Sequence, residues 1–143
     1  MNAAEQATSI EFASKIATVV YLFKSEFPDL RVDLKPWTKE SDTRSLVDPD
    51  SVDIGLHFPG LSRLFHCRSF LVQIRFHDDA DSCTKRVIGI EVGGYDHRGK
   101  QWTLSTIDQW SFAGTVVPER AAGDRLKHCC RQIFDAAATR VTA

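Results

Sequence analysis

Between residues 52 and 116 apolar residues recur at every second position in a series of short runs, and helical spacing occurs only before and after them. Successive side chains of a strand point to opposite faces, so a period of two marks half-buried strands. Strands that arrive in an unbroken run, rather than alternating with helices, favour an antiparallel meander over a doubly wound parallel sheet. Val52, Ile54, Leu56 and Phe58 form one run, followed by the turn signal Pro59-Gly60. Over Arg68 to His77, Phe70, Val72, Ile74 and Phe76 share one face, with Ser69, Leu71, Gln73, Arg75 and His77 on the other. After a polar turn from His77 to Lys85, the segment Arg86 to Tyr95 sets Ile88, Ile90 and Val92 opposite Val87, Gly89, Glu91 and Gly93. Asp96-His97-Arg98-Gly99 supplies a hairpin turn, and Trp102, Leu104 and Thr106 continue the returning strand. Trp110, Phe112, Gly114 and Val116 mark a further strand.

Two helices bracket this run. Thr8-Ser9-Ile10-Glu11 is a capping pattern, and Ile10, Ala13, Ile16, Ala17, Val20, Phe23 and Phe27 then recur at three- and four-residue steps, widened by Phe12, Val19 and Leu22. Pro28 disfavours helical geometry at Phe27, so this helix ends near Glu26. Leu30, Val32 and Leu34 next alternate with Arg31, Asp33 and Lys35, and Pro36 closes that strand as an edge. Thr38 to Ser51 is the most polar stretch, a connection of about 14 residues that reads as a mobile or ligand-facing loop. Pro118-Glu119 opens a C-terminal helix over about residues 119 to 140, with Leu126, Cys130, Ile133, Ala137 and Val141 inward and Cys129, Phe134 and Ala136 beside them. The expected architecture is one α+β domain over residues 1–143, in the order α-β-β-β-β-(β)-α. An antiparallel sheet of four to five strands carries the N- and C-terminal helices on one face.

Composition limits the function. With 18 Lys and Arg against 19 Asp and Glu, the net charge of −1 lacks the basic excess of a nucleic-acid or anionic-membrane surface. The longest apolar run, Ile16 to Phe23, falls far short of the roughly 18 residues of a membrane span. Glu5 stands where a signal peptide would carry Lys or Arg, so a cytoplasmic location is expected.

Candidate chemistry is sparse. Four cysteines, at 67, 83, 129 and 130, lack the spacing of a zinc site or a redox pair, and Cys129 and Cys130 read as core residues of the last helix. His77-Asp78-Asp79 superficially resembles a metal cluster but reads as a solvated turn, so no metal is expected. Gly93-Gly94 follows a strand but precedes no helix; the two glycines relieve crowding or allow a bulge rather than cradle a phosphate. No nucleophile elbow and no paired carboxylates stand out, so catalytic residues are unassigned, no cofactor is expected, and the reading leans away from an enzyme.

The feature left over is the sheet face that the helices leave uncovered. It collects His57, Leu71, Gln73, Arg75, His77, Glu91 and Tyr95, with Arg31, Asp33 and Lys35 from the first strand, and it allows a cross-strand pair between Arg75 and Glu91. Trp37, opening the long loop, and Trp102, just past the hairpin turn, stand where an edge would let a large ring with one donor serve binding, although core or loop-anchoring roles are the favoured reading for both. The candidate partner- or ligand-binding residues are therefore His57, Gln73, Arg75, Glu91, Tyr95 and Trp102.

At Arg68-Ser69-Phe70-Leu71-Val72-Gln73-Ile74-Arg75-Phe76, at Arg86-Val87-Ile88-Gly89-Ile90-Glu91 and from Tyr95 to Thr106, the chain resembles a family of small uncharacterised cyanobacterial proteins. The resemblance covers about residues 50 to 135 and implies a bacterial cytoplasmic setting, with no activity, cofactor or catalytic residue attached. Taken together, the expected function is a non-enzymatic binding or assembly module that acts through the outer sheet face or an edge, as a homodimer or with a protein partner. The alternative is a small-ligand-binding protein or enzyme whose pocket lies between helices and sheet, gated by the 38–51 loop.

Overall fold

The computed structural model describes residues 2–6, 10–36, 51–79, 84–107, 109–137 and 141–142. A short helix α1 (Ala3–Gln6) precedes α2 (Ile10–Glu26), and the chain then forms β1 (Arg31–Asp33), β2 (Ser51–Ser62), β3 (Cys67–Asp79), β4 (Thr84–Asp96), β5 (Gly99–Ser105) and β6 (Ser111–Gly114). Helix α3 (Arg120–Ala137) and the two-residue β7 (Val141–Thr142) complete it. Strands β1 to β6 lie side by side in chain order, every pairing antiparallel, and β7 pairs with the start of β4.

The α+β class and the two flanking helices agree with the periodicity, but the sheet is larger than four to five strands. Both short edge segments, Arg31–Asp33 and Ser111–Gly114, pair fully, and Val141, expected in the last helix, instead adds backbone bonds to β4. The Pro59-Gly60 turn is also overturned, because β2 runs on to Ser62. The register shifts between His57 and Ser62, and a proline, which has no N–H to give to the ladder, is tolerated at such a bulge. The turn comes later, at residues 63–66, with His66 in the left-handed region (φ 53°). The hairpin at Asp96 and Gly99 is as expected. Gly99 takes φ 110°, which favours glycine, and the Arg98 N–H donates to Asp96 Oδ1 at 2.7 Å. The Thr8-Ser9 cap, Trp37, the loop residues up to 50 and Cys83 lie outside the described residues.

Helices α2 and α3 pack antiparallel on one sheet face. At one end Arg125 Nε meets Glu26 Oε1 at 2.9 Å while its Nη2 donates to the Glu26 carbonyl at 2.9 Å, capping the C-terminus of α2. At the other end Lys15 Nζ donates to the Ala136 carbonyl at 3.2 Å. Ile16, Val19 and Phe23 from α2, and Ala122, Leu126, Cys129, Cys130 and Ile133 from α3, are buried. They meet Val52, Ile54, Leu56, Phe70, Val72, Ile74, Ile90, Val92, Trp102 and Leu104 of the sheet. Ala13 and Ala17, assigned to the α2 stripe by spacing, are exposed, since the 3-4-4 step Ile16-Val19-Phe23-Phe27 is the one that meets the sheet.

Trp102 belongs to this core and not to an edge. It is 1% exposed, its Nε1 donates to the Phe65 carbonyl at 2.6 Å, and its ring lies edge-on between Phe70 (5.7 Å) and Phe112 (5.3 Å). The indole fits because Gly94 faces it across β4 and β5: a Cβ at residue 94 would lie 2.2 Å from Trp102 Cε2. The register between β4 and β5 shifts between Gly94 and Tyr95, so the glycine pair both makes room and bends the strand. No helix among the described residues is long and apolar enough to cross a membrane.

Candidate functional site

Registers fix what the other sheet face displays. Arg31, His57, Ser69, Tyr95 and Lys100 stand in one row across β1 to β5, and Asp33, Gly55, Leu71, Gly93 and Thr103 in the next. A third row holds Asp53, Gln73, Glu91 and Ser105. Neighbouring strands lie about 4.8 Å apart and successive rows about 6.7 Å apart, so the first and third rows are separated by about 13 Å. Leu71 is thus flanked by two glycines, and the middle row is a trough with a leucine in its floor.

The side chains of the first row lean into that trough. At Gly93 an added Cβ would lie 2.8 Å from Tyr95 Cε2, and at Gly55 one would lie 3.4 Å from His57 Nε2, Asp33 Cβ and Pro36 Cβ alike. His57 and Tyr95 therefore form opposite walls around Leu71. The resulting cavity, about 220 Å³, is lined by Pro36, Gly55, His57, Ser69, Phe70, Leu71 and Tyr95.

His57 is held from both sides. Its Nδ1 lies 2.8 Å from Ser69 Oγ on the paired strand, and its Nε2 lies 3.6 Å from Asp33 Oδ2. Asp33 is fixed in turn, since its Oδ1 accepts the Lys35 backbone N–H at 2.9 Å. With Nε2–H turned to the carboxylate, Nδ1 accepts the Ser69 hydroxyl proton, the tautomer that satisfies both contacts. Across Tyr95, Lys100 places its ammonium 5.6 Å from the ring centre, on the same side of the sheet.

The third row is a separate cluster. Asp53 is fully buried; Ser51 Oγ donates to its Oδ1 at 2.6 Å and Gln73 Nε2 at 3.4 Å. Arg75 Nη2 reaches Glu91 Oε2 at 3.3 Å, diagonally, because Gln73 stands opposite Glu91 and Arg75 opposite Gly89. Both side chains are about one-quarter exposed, and such a pair contributes at most about 1 kcal/mol.

Of the sequence candidates, then, the structure brings His57 and Tyr95 to one cavity and Gln73, Arg75 and Glu91 to a second cluster, while Trp102 points into the core. Sequence reasoning placed Asp33 and Ser69 on this face without singling them out, and it passed over Ser51 and Asp53. The signal was available: Ser51, Asp53, Gly55 and His57 share one parity on β2.

Among the described residues, the apolar side chains of α2, α3 and the sheet form one core cluster. At the rim of that cluster a cavity of about 330 Å³ is bounded by Glu26, Phe27, Phe58, Leu61, Leu64 and Arg125. Another, of about 270 Å³, lies at the β4–β5 turn beside His66, Arg68 and His97. There Asp96 accepts from Arg98 and Gln101, and the Arg98 N–H holds its carboxyl below the usual carboxylate range. Burial raises the thiols of Cys67 and Cys129 to about 12 and Cys130 higher still, so all three remain protonated near neutrality. Among the described residues no group of three or more His, Cys, Asp or Glu is placed to hold a metal ion.

Fold and site together define an α+β domain in which helices seal one face of a meander and the opposite face carries a half-buried, mainly apolar trough beside a His57–Ser69 pair. The chain belongs to a family described as a domain of unknown function, whose model matches residues 4–138. No curated protein and no solved structure matches it.

Proposed function

We propose that this protein is a binding module whose working surface is the sheet face turned away from the helices. Its ligand is a small molecule with an apolar body and one hydrogen-bonding end. The observation that carries this reading is the cavity of about 220 Å³ over Leu71, where apolar walls surround the His57–Ser69 pair as the one polar end. Binding sites are commonly apolar concavities with a few convergent polar groups, and this trough has that composition. Half-buried Tyr95 and Arg75, residue types favoured at interface centres, support a companion reading in which a second copy or another protein covers the face. The setting we propose is a cyanobacterial cytoplasm, which the family resemblance implies.

Methyl and aromatic NMR with a panel of small aliphatic and aromatic alcohols and amides tests the reading. Expected are shifts at the Leu71 methyls and the Tyr95 ring, with a ligand-dependent rise in Tm. A panel whose members all bind elsewhere, or none of which binds, refutes the small-molecule reading. Native mass spectrometry addresses the companion reading: a dimer that Arg75→Glu dissociates supports it, and a monomer at all concentrations removes the homodimer.

A further inference from the structure

The trough meets the geometric requirements of a nucleophile site, and we propose that Ser69 is a nucleophile toward small acyl esters, with His57 as its base. This inference rests on the reading of the trough as a ligand site. Nucleophilic catalysis by a hydroxyl needs an acceptor nitrogen within hydrogen-bond reach, a third group that sets the tautomer of that base, and free volume beside the oxygen. Each is present. Ser69 Oγ is 2.8 Å from His57 Nδ1, Asp33 Oδ2 is 3.6 Å from the far nitrogen, and the cavity opens directly on Ser69. The contact to Asp33 is longer than a tight hydrogen bond, as such contacts commonly are before substrate excludes water.

The arrangement follows from the sheet. Ser69 and His57 are register partners, so their side chains share a face at close range, and Asp33 is one step diagonal on the edge strand. The imidazole reaches over Gly55, with Nε2 3.4 Å from where a Cβ at that residue would stand.

In the step, the Ser69 oxygen bonds to the acyl carbon as its proton passes to His57 Nδ1. The ester C–O bond then breaks, and the departing alkoxide takes that proton from Nδ1 and leaves as an alcohol. Water, deprotonated by the same nitrogen, attacks the acyl-serine, releases the carboxylic acid and returns the proton to Ser69. The sum is ester plus water giving acid plus alcohol. Apolar walls of Leu71 and Tyr95 select a short aliphatic or aromatic acyl group. Ser69 and His57 are the catalytic residues, and Asp33 is a positioning residue.

An alkyl fluorophosphonate tests the proposal on the full-length protein, with adduct formation read by intact mass and peptide mapping, and occupancy by the Leu71 methyl signals in the presence of its hydrolysed, unreactive phosphonate. One adduct at Ser69 is expected, absent in Ser69→Ala and slowed by about 100-fold or more in His57→Gln. Asp33→Asn slows the inactivation rate constant about 10- to 100-fold while leaving the half-saturating probe concentration unchanged, a split that a merely structural role does not produce. Leu71→Trp, which fills the trough while sparing all three polar groups, abolishes both labelling and the phosphonate shifts. Leu71 shifts without any adduct after prolonged exposure overturn the nucleophile and leave the binding site standing. An adduct at another residue overturns it as well. If neither shifts nor adduct occur, the nucleophile is overturned; if the alcohol and amide panel also leaves Leu71 unshifted, the binding reading falls with it.

Discussion

Gly94→Ala puts the close packing of Trp102 to a quantitative test. The new methyl carbon would sit 2.2, 2.4 and 2.6 Å from Trp102 Cε2, Nε1 and Cζ2, separations that carbon atoms do not sustain. Backbone at residue 94 is paired on both sides, to Phe70 and to Trp102, so the ring must move and not the strand. Overpacking of this kind costs about 1–3 kcal/mol. Displacing the indole also breaks its 2.6 Å bond to the Phe65 carbonyl and leaves a buried acceptor unsatisfied, which costs about 1–3 kcal/mol more. The expected total is about 2–6 kcal/mol. For a 143-residue chain the unfolding entropy is about 0.3 kcal/mol/K, so Tm should fall by roughly 7–20 °C. Urea and thermal melts followed by circular dichroism measure this directly. A double-mutant cycle with Trp102→Leu isolates the cause, because leucine carries none of the three atoms that the methyl meets. The combination should be about 1–3 kcal/mol less destabilised than the sum of the single variants. Strict additivity, or a Gly94→Ala protein melting within a degree or two of wild type, would show that the indole is not where this packing puts it.

Asp53→Ala leaves the Ser51 hydroxyl and the Gln73 amide without the acceptor they share at the buried end of β2, so it should cost about 1–3 kcal/mol in denaturant unfolding. Cys67, Cys129 and Cys130 should resist an aromatic disulfide reagent in the native protein near neutrality and react at once in guanidinium, because burial holds the Cys67 and Cys129 thiols at about 12 and Cys130 above that. Stoichiometric native-state modification of any of the three contradicts its burial in the core.

Much of this fold was readable because its periods are clean. The alternation in Phe70 to Phe76 survives unchanged in β3, and the helix limit near Glu26 follows from Pro28. What spacing could not supply was the choice between equivalent faces and the fate of short segments. Trp102 shares its parity with Leu104, which argued for the core, yet its place after a hairpin turn argued for an edge; the deciding fact is a glycine on the neighbouring strand, visible only once β4 and β5 are in register. Three-residue β1 and four-residue β6 are too short for any pattern to be firm, and their pairing is a property of the sheet they border. The site had the same problem in sharper form. His57 and Tyr95 were legible as outward residues, but Asp33, His57 and Ser69 are separated by 24 and 12 positions and become neighbours only through two register choices.

Glycine works in opposite senses on the two faces of the sheet, and the contrast bears on where function sits. On the helix side, the space left by Gly94 is taken up entirely by the Trp102 ring, whose own donor is satisfied at Phe65, so the volume is closed and its consequence is stability. On the other side, Gly93 likewise admits the Tyr95 ring, while His57 reaches over Gly55; the two rings flank Leu71 and border a cavity of about 220 Å³. A sheet face shaped only for solvation has no need of two glycines opposite one leucine, since strand interiors lose stability by glycine. Valine or threonine at 93 would push the Tyr95 ring aside and reshape the trough. The chain keeps the weaker residues where they hold a histidine, a serine and a carboxylate around an open space, and closes the equivalent space where they do not.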